Sequence, residues 1–290
     1  MKKNMFFVFA LLTAASAASA QTSYVASTGT GTTCSKTAPC RTFAAALTAL
    51  PISGGTILAL DSADYSAGSN LFVGSPVIID GGEHGAFFTG GFQLEPGGGG
   101  YVTIRHLTFN DGGVGGVLNG ARVTLEHVTI HSINGSGIAL VCTPGVSIDL
   151  KHVSILGANT GISLTPVSNN PVGAYSVALT DVTVRANNIG VQIVEGSATI
   201  RDSAVGYTNG PGILLTGPVT NPVSVIEHTE LVNNTVGLLE GYGTARLSNS
   251  LIAGNQTGIL MGPGTVISFR NNAFAGNGTD GSPVLSTSLK

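Results

Sequence analysis

Histidine, aspartate and asparagine share one register of this sequence: His106, His127, His152, Asp181, Asp202, His228, Asn249 and Asn271. They are the fifth members of eight alignable segments, VTIRHLTF, VTLEHVTI, IDLKHVSI, VALTDVTV, ATIRDSAV, SVIEHTEL, ARLSNSLI and ISFRNNAF. Two kinds of chemistry suit such a column. His106, His127 and His152, on successive coils with α-carbons ~5 Å apart, have the donor type to bridge a divalent metal. The same three residue types are also those enriched where a non-glycine backbone turns left-handed at a bend. Aspartate and asparagine keep the turn preference of histidine but not its softer ligand chemistry. The column is therefore assigned as a turn ladder, and no metal site is assigned.

A ladder needs elements to stack it. The segments recur every 21 to 29 residues, a spacing that suits one solenoid coil per repeat. Their third members, Ile104, Leu125, Leu150, Leu179, Ile200, Ile226, Leu247 and Phe269, are all large and apolar. The eighth members, Phe109, Ile130, Ile155, Val184, Val205, Leu231, Ile252 and Phe274, behave likewise. The alternation between these positions is that of strands with one buried face, and it breaks at the fifth residue, where two short strands meet. Most repeats then run from asparagine to a glycine and an apolar residue, as in Asn159 to Gly161-Ile162 and Asn255 to Gly258-Ile259, which predicts a turn and a third strand. Three strands per coil, stacked parallel, make a β-helix filled by aligned apolar side chains.

Composition agrees with many short strands joined by tight turns: 42 glycines among 290 residues, 9% charged residues and no tryptophan. The first twenty residues combine Lys2 and Lys3, an apolar run from Met5 to Leu12 and the small residues Ala18-Ser19-Ala20, the pattern of a secretory signal peptide. No later stretch reaches the ~18 apolar residues of a spanning helix. Removal of Lys2 and Lys3 with the leader leaves 10 basic against 15 acidic residues, a balance of −5. Nucleic acid and anionic surfaces are thereby disfavoured as partners. Cys34 and Cys40, close together in an exported chain, predict a small disulfide loop with Cys142 left over.

The repeats resemble the right-handed parallel β-helix repeat family, the pectin-lyase-like superfold, over residues 56–280. The opening SYVASTGTGTTCSKTAPCRTFAAAL and closing NNAFAGNGTDGSP are similar to secreted bacterial members of mostly uncharacterised function. The resemblance implies an all-β fold: a right-handed single-stranded parallel β-helix, a solenoid of about ten coils with a short N-terminal capping helix. The division expected is a signal peptide at 1–20, an N-terminal cap at 21–55, the β-helix at 56–280 and a tail at 281–290. The capping helix is placed at Thr42 to Leu50, with Phe43, Leu47 and Leu50 on one face and Pro51 as its stop.

What the family resemblance implies for chemistry is conditional. A polysaccharide lyase or hydrolase of this fold needs carboxylates converging on a groove, with calcium or a partner acid or base. In such folds these groups project from the strand after the glycine, here Ala139, Ser163, Gln192, Leu214, Leu239 and Leu260, a column without acid or base. GEHG at 82–85 lacks partner aspartates in neighbouring coils, and Asp80 is read as a turn residue. Gln192, Leu214, Leu239 and Leu260 are instead read as a binding stripe, with cover by the loop at 216–223 as the plainer alternative. Glu240 falls where an inward apolar residue belongs, and its place at a strand end predicts escape to solvent.

The resulting expectation is a secreted or periplasmic, non-catalytic scaffold, monomeric or weakly self-associating. Its partner would be a polysaccharide or cell-surface component, and it would need no cofactor. The alternative is a polysaccharide lyase or glycoside hydrolase with an atypical site on the loops at 141–147 and 165–176, with calcium only in that case.

Overall fold

The computed structural model describes residues 21–132, 135–167, 175–185, 187–217, 222–281 and, as backbone, 285–287. The expected leader at 1–20 lies outside the described residues, as do Asn134 and the segments 168–174 and 218–221. Among the described residues no helix is long and apolar enough to cross a membrane.

Each central coil begins with a long strand that runs through the bend, as in Tyr101–Asn110, Arg122–His131, Ser147–Leu156 and Ser176–Arg185. A shorter strand follows on the other side of the solenoid, as in Val114–Leu118, Ser136–Cys142, Thr160–Pro166 and Ile189–Val194. Strands of one type pair only in parallel with their equivalents one coil away, building a 17-stranded and a 10-stranded sheet. Register is set by the alternation: Ile104 pairs Leu125, Leu125 pairs Leu150 and Leu150 pairs Leu179, all buried. A shift of one residue would turn every such side chain to solvent.

In the C-terminal coils, asparagines that follow the short strands Glu230–Val232, Leu251–Ala253 and Ala273–Ala275 satisfy backbone groups of adjacent coils. Asn255 Oδ1 accepts from Asn234 N at 2.9 Å, Asn255 Nδ2 donates to Leu231 O at 2.9 Å, and Asn277 Oδ1 accepts from Asn255 N at 3.0 Å. Each rung satisfies a turn amide of the coil before it. Where coils meet most closely only glycine fits: a Cβ on Gly112 would lie 1.9 Å from Gly90 O.

The first strand, Gln21–Val25, pairs with Gly55–Ala59 and carries the stack to its N-terminal end. That end is covered by the helix Phe43–Ala49, whose N-cap Thr42 accepts from Ala45 N at 3.2 Å. Phe43 and Ala46 are buried beneath it, and Leu47 and Leu50 pack against the same core. The Cys34–Cys40 disulfide closes the adjoining loop. At the other end, Leu285–Thr287 pairs with Thr265–Phe269.

Two local expectations fail. The eighth segment slips by one residue: Leu247 pairs Ser268, while Ile252 still pairs Phe274. The last coil therefore has one more residue at its bend, and Phe269 is only half-buried. Asn271 accordingly lies outside the left-handed region that the seven preceding members occupy, and instead pairs its amide with Asn249 at 2.8 Å. Glu240 does not escape to solvent. It is 1% exposed, between Leu215 and Met261 in the inward ladder.

Candidate functional site

The turn ladder is the most regular polar feature of the surface. His106, His127, His152, Asp181, Asp202, His228 and Asn249 all have φ between 47° and 54°. The left-handed bend aims each side chain outward, one above the next. The rings of His106 and His127 stack with centroids 5.4 Å apart, and those of His127 and His152 at 4.5 Å. Carboxylates close both ends of this stack, with His106 Nδ1 2.9 Å from Asp80 Oδ1 and His152 Nδ1 2.7 Å from Asp181 Oδ2. Further along, His228 Nδ1 stands 4.0 Å from Asp202 Oδ1.

Asp80 is more than a turn residue. It accepts from Gly82 N at 2.9 Å and from Arg105 Nε at 2.8 Å besides facing His106. Burial by itself raises its carboxyl pKa, but the bonds from His106, Gly82 and Arg105 outweigh that and hold it below the usual range. These carboxylates are spent on holding imidazole and guanidinium groups in place. Among the described residues, no group of three or more His, Cys, Asp and Glu side chains converges to hold a metal ion. Replacing His127 by asparagine should leave stability nearly unchanged, whereas valine, which resists positive φ, should cost about 1–2 kcal/mol in urea unfolding. Equal effects would show that the imidazole, not the bend, matters.

The column Gln192, Leu214, Leu239 and Leu260 is stacked in register on the shorter-strand face, each the pairing partner of the next. Leu260 is 42% exposed and the other three are half-buried. The loop read as their cover includes residues 218–221, outside the described ones. In the same column, earlier in the stack, lie Gln93, Gly115, Ala139 and Ser163.

At Gly115 the column opens into a groove of about 330 Å³. Asn70, Gln93, Asp111, Ser132 and Ser136 line it, over a floor that includes Gly113, Gly115 and Ala139. Asn70 is fixed by accepting from Gly91 N at 2.9 Å, and Gln93 Nε2 donates to Glu95 at 3.1 Å. A second, wider groove of about 660 Å³ lies beyond the end of the strand Val114–Leu118. Tyr101 and Arg122, paired in register and both exposed, stand in it beside Thr103, Thr124 and Ser147. The first groove has one carboxylate, Asp111, and the second has none.

Residues 160–288 match the family described as the right handed beta helix region. The chain is a right-handed parallel β-helix. Among solved structures, the β-helix is similar to the pectate lyase Pel9A at 17% identity, covering 93% of this chain and 78% of that one with a TM-score of 0.41. It is also similar to the A-module of the Azotobacter vinelandii mannuronan C-5 epimerase AlgE4 at 14% identity, covering 82% and 91% with a TM-score of 0.41. No curated protein sequence matches it.

Neither groove of the β-helix is marked in the sequence by a motif. Each is assembled from turns some twenty residues apart, and its floor is defined by side chains that are missing. The signal that was present is Gly115, a glycine at an outward strand position with no positive φ to require it. The loops proposed for an atypical cleavage site contribute little to either groove: Gly145 and Ser147 line the wider one. The segment 168–174 lies outside the described residues. Cys142 is buried, and burial pushes its thiol up to about 12, which makes it a poor nucleophile.

Proposed function

We propose that this β-helix is an exported, non-catalytic scaffold that binds a glycan across the strand Val114–Leu118. The observation that carries the reading is the groove over Gly115, whose walls offer amide, hydroxyl and carboxylate groups above a floor that includes the small residues Gly113, Gly115 and Ala139. A saccharide presents hydroxyls to such walls and ring C–H groups to small floor residues. Beyond the strand, the Tyr101 face supplies an apolar platform, and Arg122, Thr103 and Thr124 supply donors. Glycoside cleavage by acid and base takes two carboxylates flanking one bond, and Asp111 alone lines this groove. The lyase or hydrolase alternative would require a second acid, or a calcium site, beside Asp111 in this groove.

Gly115 provides the test. A Cβ there would meet Ala139 O at 3.5 Å and Gln93 Oε1 at 3.6 Å, ordinary contacts, so a larger side chain fills the groove without strain. Gly115→Leu is expected to abolish retention on the glycan that the parent protein binds in affinity electrophoresis, with the thermal midpoint nearly unchanged. Undiminished retention would place binding elsewhere.

A further inference from the structure

Glu240 ends the strand Val236–Glu240 with its side chain in the solenoid core. Both carboxyl oxygens are buried without a hydrogen-bond partner among the described residues. The niche is made to hold it: a Cβ on Gly264 would lie 2.8 Å from Glu240 Cγ and 2.9 Å from Oε1, so the chain leaves that position empty. Buried carboxyls without partners are rare because ionisation there lacks both water and a counter-charge. Among the described residues, no titratable group faces it from its neighbours. The strand Pro211–Thr216, the strand Thr257–Met261, the turn 262–264 and the strand Thr265–Phe269 carry none. Arg246 on the strand Thr244–Ser248 is exposed on the outer side, and Tyr242 is 41% exposed.

We propose that Glu240 is a proton-held latch on the C-terminal coils: losing its proton frees residues 241–281 from the stack while the coils before it stay folded. A solenoid coil contacts only its neighbours, so release can start in the last described coils and stop at Glu240. Burial pushes the carboxyl up to about 8, and the backbone N–H of Tyr242, short of hydrogen-bonding geometry, offsets only part of that. The folded pKa lies above the ordinary value, so the latch is fully closed below the ordinary value. It loosens as pH rises and levels off above the folded value.

Hydrogen exchange of the full chain, corrected for intrinsic rates, tests this. Protection of the strands Thr257–Met261 and Thr265–Phe269 should fall about tenfold per pH unit between about pH 5 and pH 8. Protection of Tyr101–Asn110 and Arg122–His131 should stay flat. In Glu240→Gln, and in Glu240→Met, which borrows the residue at the next rung of the ladder, the C-terminal strands should lose this slope. The same slope in the variants, or an equal loss of protection along the whole solenoid, would overturn the proposal. The methionine variant keeps the test open if glutamine, another buried polar group, prevents folding.

Discussion

Phe92→Ala is expected to lower the stability of the protein by about 3–5 kcal/mol, the usual range for emptying a buried aromatic site. Phe92 is 2% exposed, and its ring meets Phe88 edge-on at 4.6 Å, Phe109 at 4.9 Å and Phe43 at 6.4 Å. These four rings join the capping helix to the coils beneath it. Aromatic pairs add about 0.5–1.5 kcal/mol beyond buried area, so three are lost at once with the cavity that forms. In a stack where each coil rests on the next, damage at the cap also exposes the first core layer. Urea unfolding monitored by circular dichroism measures the change. A loss below about 1 kcal/mol would mean that the helix is not what holds this end closed.

The second large effect has the opposite sign. Glu240→Met should stabilise the chain by about 3 kcal/mol at pH 7, most of it absent near pH 4.5. The reason is linkage: burial holds the folded carboxyl protonated up to about 8, whereas the unfolded chain ionises it near 4.5. Each pH unit across that interval favours the unfolded parent by about 1.4 kcal/mol. Methionine does not titrate, and Met261 occupies the adjacent rung of the same ladder. Urea midpoints of parent and variant at three pH values would show the gap widening with pH. A constant gap would locate the gain in packing alone.

The coils, their register and the turn ladder were legible because each rests on residue types that recur where geometry recurs. Histidine, aspartate and asparagine mark the bend for a steric reason, and φ values near 50° follow at seven of the eight positions. The slip in the last coil was not legible: ISFRNNAF satisfies the apolar pattern with Phe269 in the core, yet the pairing puts Ser268 there. A single extra residue at a bend changes partners without changing the local alternation. Glu240 was misjudged because a carboxylate at a strand end ordinarily reaches water, and the glycine at 264 that makes room for it lies more than twenty residues away. The grooves were least visible. They arise where turns of different coils converge and where Gly115 withholds a side chain, and a vacancy has no periodicity.

Parallel assays of binding and turnover on one panel of neutral and acidic polysaccharides test the central claim most directly. The protein should be retained by at least one glycan in affinity electrophoresis and release neither reducing ends nor ultraviolet-absorbing unsaturated ends, with or without calcium. Retention should vanish in Gly115→Leu. Sustained turnover by the parent protein, or retention of no glycan on the panel, would contradict the account.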